Sequence, residues 1–288
     1  VKNTFPKNRR LDGLRIVIDC AHGAAYKVAP TVLWELGAEI IPLGVYPDGT
    51  NINKDVGATS IEAARQAVLE YRADLGIALD GDADRVVMID EKGGIIDGDQ
   101  LLALIANTWN ESGLLKGKAV VGTVMANLGF ERFLESKRLK LIRTPVGDRY
   151  VSESMRANAC NVGGEQSGHI ILSDYARTGD GLVAALQALS MIIASNKPAS
   201  KIMRVFEPVP QVLKSFKINN SSLLEDEKVI AAITKAEAKL GSSGMLLVRK
   251  SGTESLVRLM AQSDNEHLLK EILNDLVEVI HKRDASNV

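Results

Sequence analysis

Three carboxylates alternate through Asp80-Gly81-Asp82-Ala83-Asp84-Arg85, set between the apolar runs Leu75 to Leu79 and Val86 to Ile89. Those runs read as two buried strands, with the acidic hexapeptide as the tight loop that joins them. Like charges this close repel and raise one another's pKa, so keeping all three ionised calls for a compensating cation. Hard oxygen donors suit Mg²⁺ or Ca²⁺ better than zinc, which would call for Cys or His. A solvated acidic turn is the plain alternative. An EF-hand is the sharper one, because Asp80, Asp82, Asp84 and Glu91 fall at its first, third, fifth and twelfth positions. Against it, Arg85 stands at the sixth place, where that loop turns on Gly, and the flanks read as strands rather than helices. A guanidinium beside a divalent ion is a way to hold a phosphoryl oxygen, so the loop suggests phosphoryl transfer.

Two further loops carry chemistry. Gly163-Gly164-Glu165-Gln166-Ser167-Gly168-His169 is dense in hydrogen-bonding groups, as a polyol ligand requires. Glu165 and Ser167 can hold vicinal hydroxyls, and His169 can move a proton near neutral pH, though a structural His is as good a reading. The spacing of a nucleophile elbow is not met, which argues against Ser167 as a nucleophile. Near the C-terminus, Arg249-Lys250-Ser251-Gly252-Thr253-Glu254-Ser255, with Arg258 beyond, combines two guanidinium groups, hydroxyls and a Gly that frees backbone N–H groups. That set makes a phosphate cradle, with a solvated hairpin turn as its alternative. Arg149, at the start of a helix after Pro145-Val146-Gly147-Asp148, is a candidate anion contact or a solvated first-turn side chain.

The elements that must position these loops follow from periodicity. A strand (15–19), a helix (26–36) stopped by Gly37 and a strand (38–43) make a βαβ unit. A helix over 60–70 then delivers the chain to the strand before Asp80, and Glu91 to Gly94 turns a hairpin into Ile95 and Ile96. His22, in the first turn, is expected to cap or pack locally. Asp97-Gly98-Asp99 marks a boundary, because an amphipathic helix (100–110) begins at once after it. The next block repeats the first in outline: a strand from about Ala119, a helix (129–136), a strand (140–144), a helix to about Asn158, and a strand (170–172) after the Gly-rich loop. An apolar helix (182–195) follows, ended by Lys197-Pro198-Ala199-Ser200. Pro208 and Pro210 then mark a linker. Strands at 212–218, 244–249 and 256–261 alternate with helices at 223–239 and 266–282. The fold class expected is α/β: two related α/β domains with mixed or parallel sheets, 1–97 and 98–207, then a smaller α+β domain, 208–288.

Composition narrows the field. The chain has 288 residues, 45% hydrophobic and 25% charged, with a net charge of −1. It offers no global basic field for nucleic acid and no apolar run long enough for a membrane span. Cys20 and Cys160 are expected to be buried free thiols. The N-terminus has no secretory signal, so the cytoplasm is the expected compartment.

With three such loops in this order, the chain resembles the α-D-phosphohexomutase family over essentially its whole length. Asp80 to Arg85 resembles the family's metal loop, Gly164 to His169 its sugar-recognition loop, and Arg249 to Glu254 with Arg258 its phosphate-anchoring loop. Gln166, where mannose- and glucose-directed members usually carry Met, points to a hexosamine. The resemblance implies Mg²⁺ on Asp80, Asp82 and Asp84, and interconversion of hexosamine 6- and 1-phosphates through a bisphosphate. It implies Arg85 and His169 as catalytic groups, joined by Arg149. Glu165 and Ser167 would grip sugar hydroxyls, and Arg249, Ser251, Gly252, Thr253 and Arg258 the phosphate that is not reacting. Two departures stand out. Ser255 occupies a place where relatives often have Pro, and the family's phosphorylated Ser-His-Asn-Pro type loop is missing. With Val1 at its start, the chain is expected to be domains two to four of a four-domain enzyme. It would bind metal and sugar phosphate but not turn over without the N-terminal domain, in a full-length protein for which a homodimer is open. A phosphomannomutase or phosphoglucomutase, and a non-catalytic metal and sugar-phosphate module, are the other readings.

Overall fold

The computed structural model describes residues 1–219, 222–250 and 256–285, which divide into two compact units. The larger unit spans 1–126 and 130–207. It opens with β1 (Arg15–Asp19), α1 (Val28–Glu35), β2 (Glu39–Leu43), α2 (Glu62–Glu70), β3 (Leu75–Leu79), β4 (Val86–Asp90) and β5 (Ile95–Ile96). Ile16, Val17 and Ile18 are wholly buried, as a strand covered on both faces demands. The sheet runs β2-β1-β3-β4-β5, parallel from β2 to β3 and antiparallel from there. Helix α1 starts two residues later than its periodicity predicts. The backbone N–H groups just ahead of it are spent elsewhere: Gly23 donates to Cys20, and Ala24 crosses to the carbonyl of Gly81 at 2.7 Å.

The second half of this unit runs α3 (Gly98–Glu111), β6 (Ala119–Thr123), α4 (Leu128–Ser136), β7 (Lys140–Thr144), α5 (Asp148–Ala157), β8 (Val162–Gly164), β9 (Ile170–Leu172), α6 (Gly181–Ser195) and the short α7 (Ala199–Ile202). Its sheet order is β7-β6-β8-β9, with β6 parallel to β7 and β8, and β9 antiparallel to β8. This is the order of β2-β1-β3-β4, so the repeat suspected from sequence is a repeat of topology. The acidic loop between β3 and β4 and the Gly-rich loop between β8 and β9 occupy the same place in each copy. Helix α6 is buried from Gly181 to Ile192, as its apolar circumference predicts. Together with α3 it fills one core shared by both sheets, so the expected boundary at Asp97 falls inside a single packed unit.

The smaller unit holds 127–129 and the described residues from Pro208 onward. It contains β10 (Gln211–Lys217), α8 (Glu227–Leu240), β11 (Gly244–Lys250), β12 (Leu256–Ser263) and α9 (Glu266–Ala285). The antiparallel sheet β10-β12-β11 turns Val257, Leu259 and Ala261 toward a core shared with α8 and α9. A single helix from Leu223 is not what forms. Leu223–Glu225 make a 3₁₀ turn, and α8 begins after Asp226, whose carboxylate accepts from the N–H groups of Lys228 and Val229.

Candidate active site

The acidic loop closes on itself. Ala83 N–H donates to the Asp80 carbonyl at 3.0 Å, and Arg85 N–H donates to Asp80 Oδ1 at 3.1 Å. Ala83 takes a left-handed φ of 62° to permit the turn. The consequence is convergence: one ligand oxygen each from Asp80, Asp82 and Asp84 lies within 4.8 Å of the others. Burial, with repulsion from Asp84 and Asp82, pushes the Asp80 carboxyl above its ordinary value against the pull of the Arg85 N–H. Arg85 Nε, at 3.7 Å from Asp80 and 3.9 Å from Asp84, is the nearby cation, too distant for a hydrogen bond to either.

Behind the loop stands Asp19, at the end of β1 and wholly buried. Burial raises its pKa while the N–H groups of Ala21 (2.9 Å) and Gly57 (2.7 Å) favour its charge. This carboxylate secures the β1 to α1 turn, in which Ala21 and His22 both hold positive φ. A Cβ on Gly23 would lie 2.1 Å from the Gly81 carbonyl oxygen, so the turn is pressed directly against the acidic loop. His22 packs locally, its Nδ1 accepting from Tyr46 N–H at 3.2 Å.

The Gly-rich loop is bound to the acidic loop across the two repeats. Arg85 and His169 form an antiparallel bridge, and Val86 N–H donates to the Gly168 carbonyl at 3.0 Å. His169 Nδ1 lies 3.0 Å from Asp84 Oδ2, so an ionised Asp84 fixes the ring with its proton on Nδ1. Gly179 seals the ring's other side, where a Cβ would fall 2.5 Å from Cε1. Asp180 then caps α6 through Val183 N–H, and Gly181 N–H reaches the Ala83 carbonyl at 3.0 Å. At this loop, two buried nitrogens have no hydrogen bond among the described residues: Arg85 Nε and His169 Nε2. Orphans of this kind call for an explanation, and both lie on residues that touch the acidic loop.

Glu165 is engaged twice. Its Oε1 accepts from Gly147 N–H at 3.0 Å and its Oε2 from Ser167 Oγ at 3.3 Å. Asp97, the N-cap of α3, accepts from Gln100 N–H at 3.0 Å and from the Gln166 side chain, while burial pushes its carboxyl up. Gly98 N–H donates to the Gln166 carbonyl. Asp97, Gly98, Gly179 and Gly181 therefore border the candidate site, although Asp97 and Gly98 read in sequence as a boundary. Arg149 is not gathered in with them. Its Nε is held by Glu153 at 2.8 Å, and its side chain is 81% exposed. In the smaller unit, Arg249 and Arg258 sit directly opposite in the β11/β12 register, on the sheet face away from the helical core. Like charges placed opposite destabilise a ladder, which favours an anion between them. Ser251, Gly252 and Thr253 lie outside the described residues.

The acidic triad fits a hard divalent cation: it offers oxygen donors only, at bridging separation, with one guanidinium too far to neutralise three carboxylates. Residues 2–94, 97–209 and 213–279 match the phosphoglucomutase/phosphomannomutase alpha/beta/alpha domain II, alpha/beta/alpha domain III and C-terminal domain, respectively. The chain belongs to the phosphoglucomutase/phosphomannomutase family, the α-D-phosphohexomutases. It is 56% identical over 283 residues to a phosphoglucosamine mutase of Rhodospirillum rubrum, covering 97% of this chain and 63% of that protein. Against the phosphoglucosamine mutase of Paramagnetospirillum magneticum it is 59% identical, covering 98% and 63%. The chain thus spans somewhat under two thirds of these relatives. Among solved structures, an Aspergillus fumigatus N-acetylphosphoglucosamine mutase in complex with GlcNAc-6P and magnesium superposes with a TM-score of 0.78 at 19% identity, over 98% of this chain and 64% of that one. A family protein of Burkholderia thailandensis gives 0.78 at 20% identity, over 98% and 62%. At such identities these two phosphohexomutases speak for the fold alone.

Proposed function

We propose that this chain supplies the metal, sugar and phosphate sites of a phosphoglucosamine mutase, which interconverts glucosamine 6-phosphate and glucosamine 1-phosphate through a bisphosphate. The observation that carries the reading is the pair of orphaned nitrogens, Arg85 Nε and His169 Nε2, on residues that contact a convergent carboxylate triad. The names and identities of the relatives support the hexosamine. The family matches, which break between 94 and 97 and between 209 and 213, support three domains close to 1–97, 98–207 and 208–288, the first two packed as one unit.

Asp80, Asp82 and Asp84 would hold Mg²⁺, which when bound supplies positive charge to a transferring phosphoryl group. Arg85 Nε, free of any other acceptor, donates to an oxygen of that group. His169, its Nδ1 against Asp84, would assist proton transfer from an attacking sugar hydroxyl once Nε2, buried here beside Gly179, is opened to the site. Glu165 and Ser167 exchange their mutual hydrogen bond for sugar hydroxyls. Arg249 and Arg258, with Ser251, Gly252 and Thr253, hold the idle phosphate, and Arg149 adds a contact by leaving Glu153. An N-terminal domain carrying a phosphorylated serine completes the enzyme, so the chain alone binds without turning over.

Isothermal titration of the 288-residue chain tests the binding half of this reading. Glucosamine 6-phosphate is expected to bind in Mg²⁺ and to weaken by about tenfold or more in Asp82→Asn. Full-length protein tests the rest, with glucosamine phosphates expected to outpace mannose and glucose phosphates. Metal-independent binding, or faster mannose phosphate turnover, would overturn the assignment.

A further inference from the structure

The larger unit contains a cavity of about 510 Å³ that the candidate active site does not use. It opens between the C-terminal half of α5 and the end of edge strand β9, and its lining includes Lys116, Met155, Arg156, Cys160, Ser173 and Arg177. Strands β8 and β9 carry the Glu165 to His169 loop at one end, while Ser173 follows β9 at the other.

The floor is apolar. Met155, Cys160 and Ile171 are each at most 5% exposed and belong to the small core on the α5 face of the sheet. The rim is cationic. Lys116 Nζ pairs with Asp174 Oδ1 at 2.6 Å, and Asn161 donates to Asp174 Oδ2, so that acid is already satisfied. Glu153, the other acid near Arg156, is held by Arg149. The guanidinium groups of Arg156 and Arg177 therefore make no hydrogen bond and no close ion pair among the described residues, Arg156 acting on Glu153 only through its field. The lining carries three cations against one anion, a net charge of +2.

We infer that this cavity binds a phosphorylated small molecule of mononucleotide size, its phosphates on Arg156 and Arg177 and its ring on Met155, Cys160 and Ile171. Two guanidinium forks suit a diphosphate, since each can donate in parallel to two oxygens. The volume falls in the range of small-molecule sites and far exceeds what a free phosphate fills. An apolar floor beneath a cationic rim matches a ligand with one flat end and one charged end.

Cys160 gives a local readout. In EDTA, UDP or ADP at about 10 mM is expected to slow alkylation of Cys160 by N-ethylmaleimide about fivefold or more, followed by mass spectrometry. Cys20 serves as the internal control. Arg156→Gln with Arg177→Gln is expected to raise the half-protecting concentration about tenfold or more at unchanged melting temperature. Asp80→Asn, in the acidic triad, is expected to leave protection as it was, so that failure here and failure of the mutase reading are separable. No protection at that concentration, or protection indifferent to the two arginines, overturns the proposal. Equal protection by inorganic phosphate alone overturns the ring contact.

Discussion

Replacing Asp80 with Asn is expected to stabilise the metal-free protein while weakening its response to Mg²⁺. The Asp80 carboxylate faces two others at no more than 4.8 Å and one guanidinium nitrogen at 3.7 Å. At an effective dielectric of about 20 the two repulsions sum to roughly 7 kcal/mol and the attraction to roughly 4.5, a net cost of about 2.4 kcal/mol. In a water-like medium the same geometry leaves about 0.6 kcal/mol. Arg85 is 43% exposed, so screening favours the lower end, near 1 kcal/mol. Asn keeps the size and the acceptor for Arg85 N–H, so only charge is removed. In EDTA the variant is expected to melt about 2–4 °C above the unaltered chain, the shift that 1 kcal/mol produces in a unit of this size. Added Mg²⁺ then raises the melting temperature of the parent but much less that of the variant, because binding to the folded state is what stabilises it. A variant that melts below its parent in EDTA, or gains as much from Mg²⁺, would refute the reasoning.

Other expectations follow from single contacts. Asp226 caps α8 and accepts from Arg283 at the end of α9; that guanidinium, with the cap N–H groups, holds its carboxyl below the ordinary value. A lowered folded pKa means stability that is present at neutral pH and lost as pH falls through it, so Arg283→Met is expected to flatten the acid limb of the melting curve below about pH 4. Gly98→Ala would ordinarily favour a helix, yet its Cβ would stand 2.1 Å from the Glu165 carbonyl oxygen, so a loss of about 1–3 kcal/mol is expected in denaturant titration. Burial pushes the Cys20 thiol up to about 12, leaving roughly one thiolate in ten thousand at pH 8, so Cys20 is expected to resist alkylation until the chain unfolds. Cys160, which lines a cavity, is expected to react first.

Local patterns were legible in the sequence, and contacts between distant segments were not. The runs Leu75 to Leu79 and Val86 to Ile89 announce two strands because burial on both faces leaves no room for alternation. Asp80, Asp82 and Asp84 converge as their spacing suggests. Nothing in the order of residues could tell that Gly98, Gly179 and Gly181 abut the two loops, since each is indispensable only for what lies across from it. Arg149 is different: Glu153 stands four residues on, a spacing that pairs charges along a helix, and that signal was open to reading. Likewise α6 ends at Ser195 on a left-handed Asn196, and Pro198, which reads in sequence as a helix stop, stands at the N-cap of α7.

Because the acidic and Gly-rich loops share backbone hydrogen bonds, with glycines that leave no slack for side chains, they form a single stiff seat. Under the proposed function, a seat fixed in this way would leave turning over to the guest, which would offer it first one end and then the other.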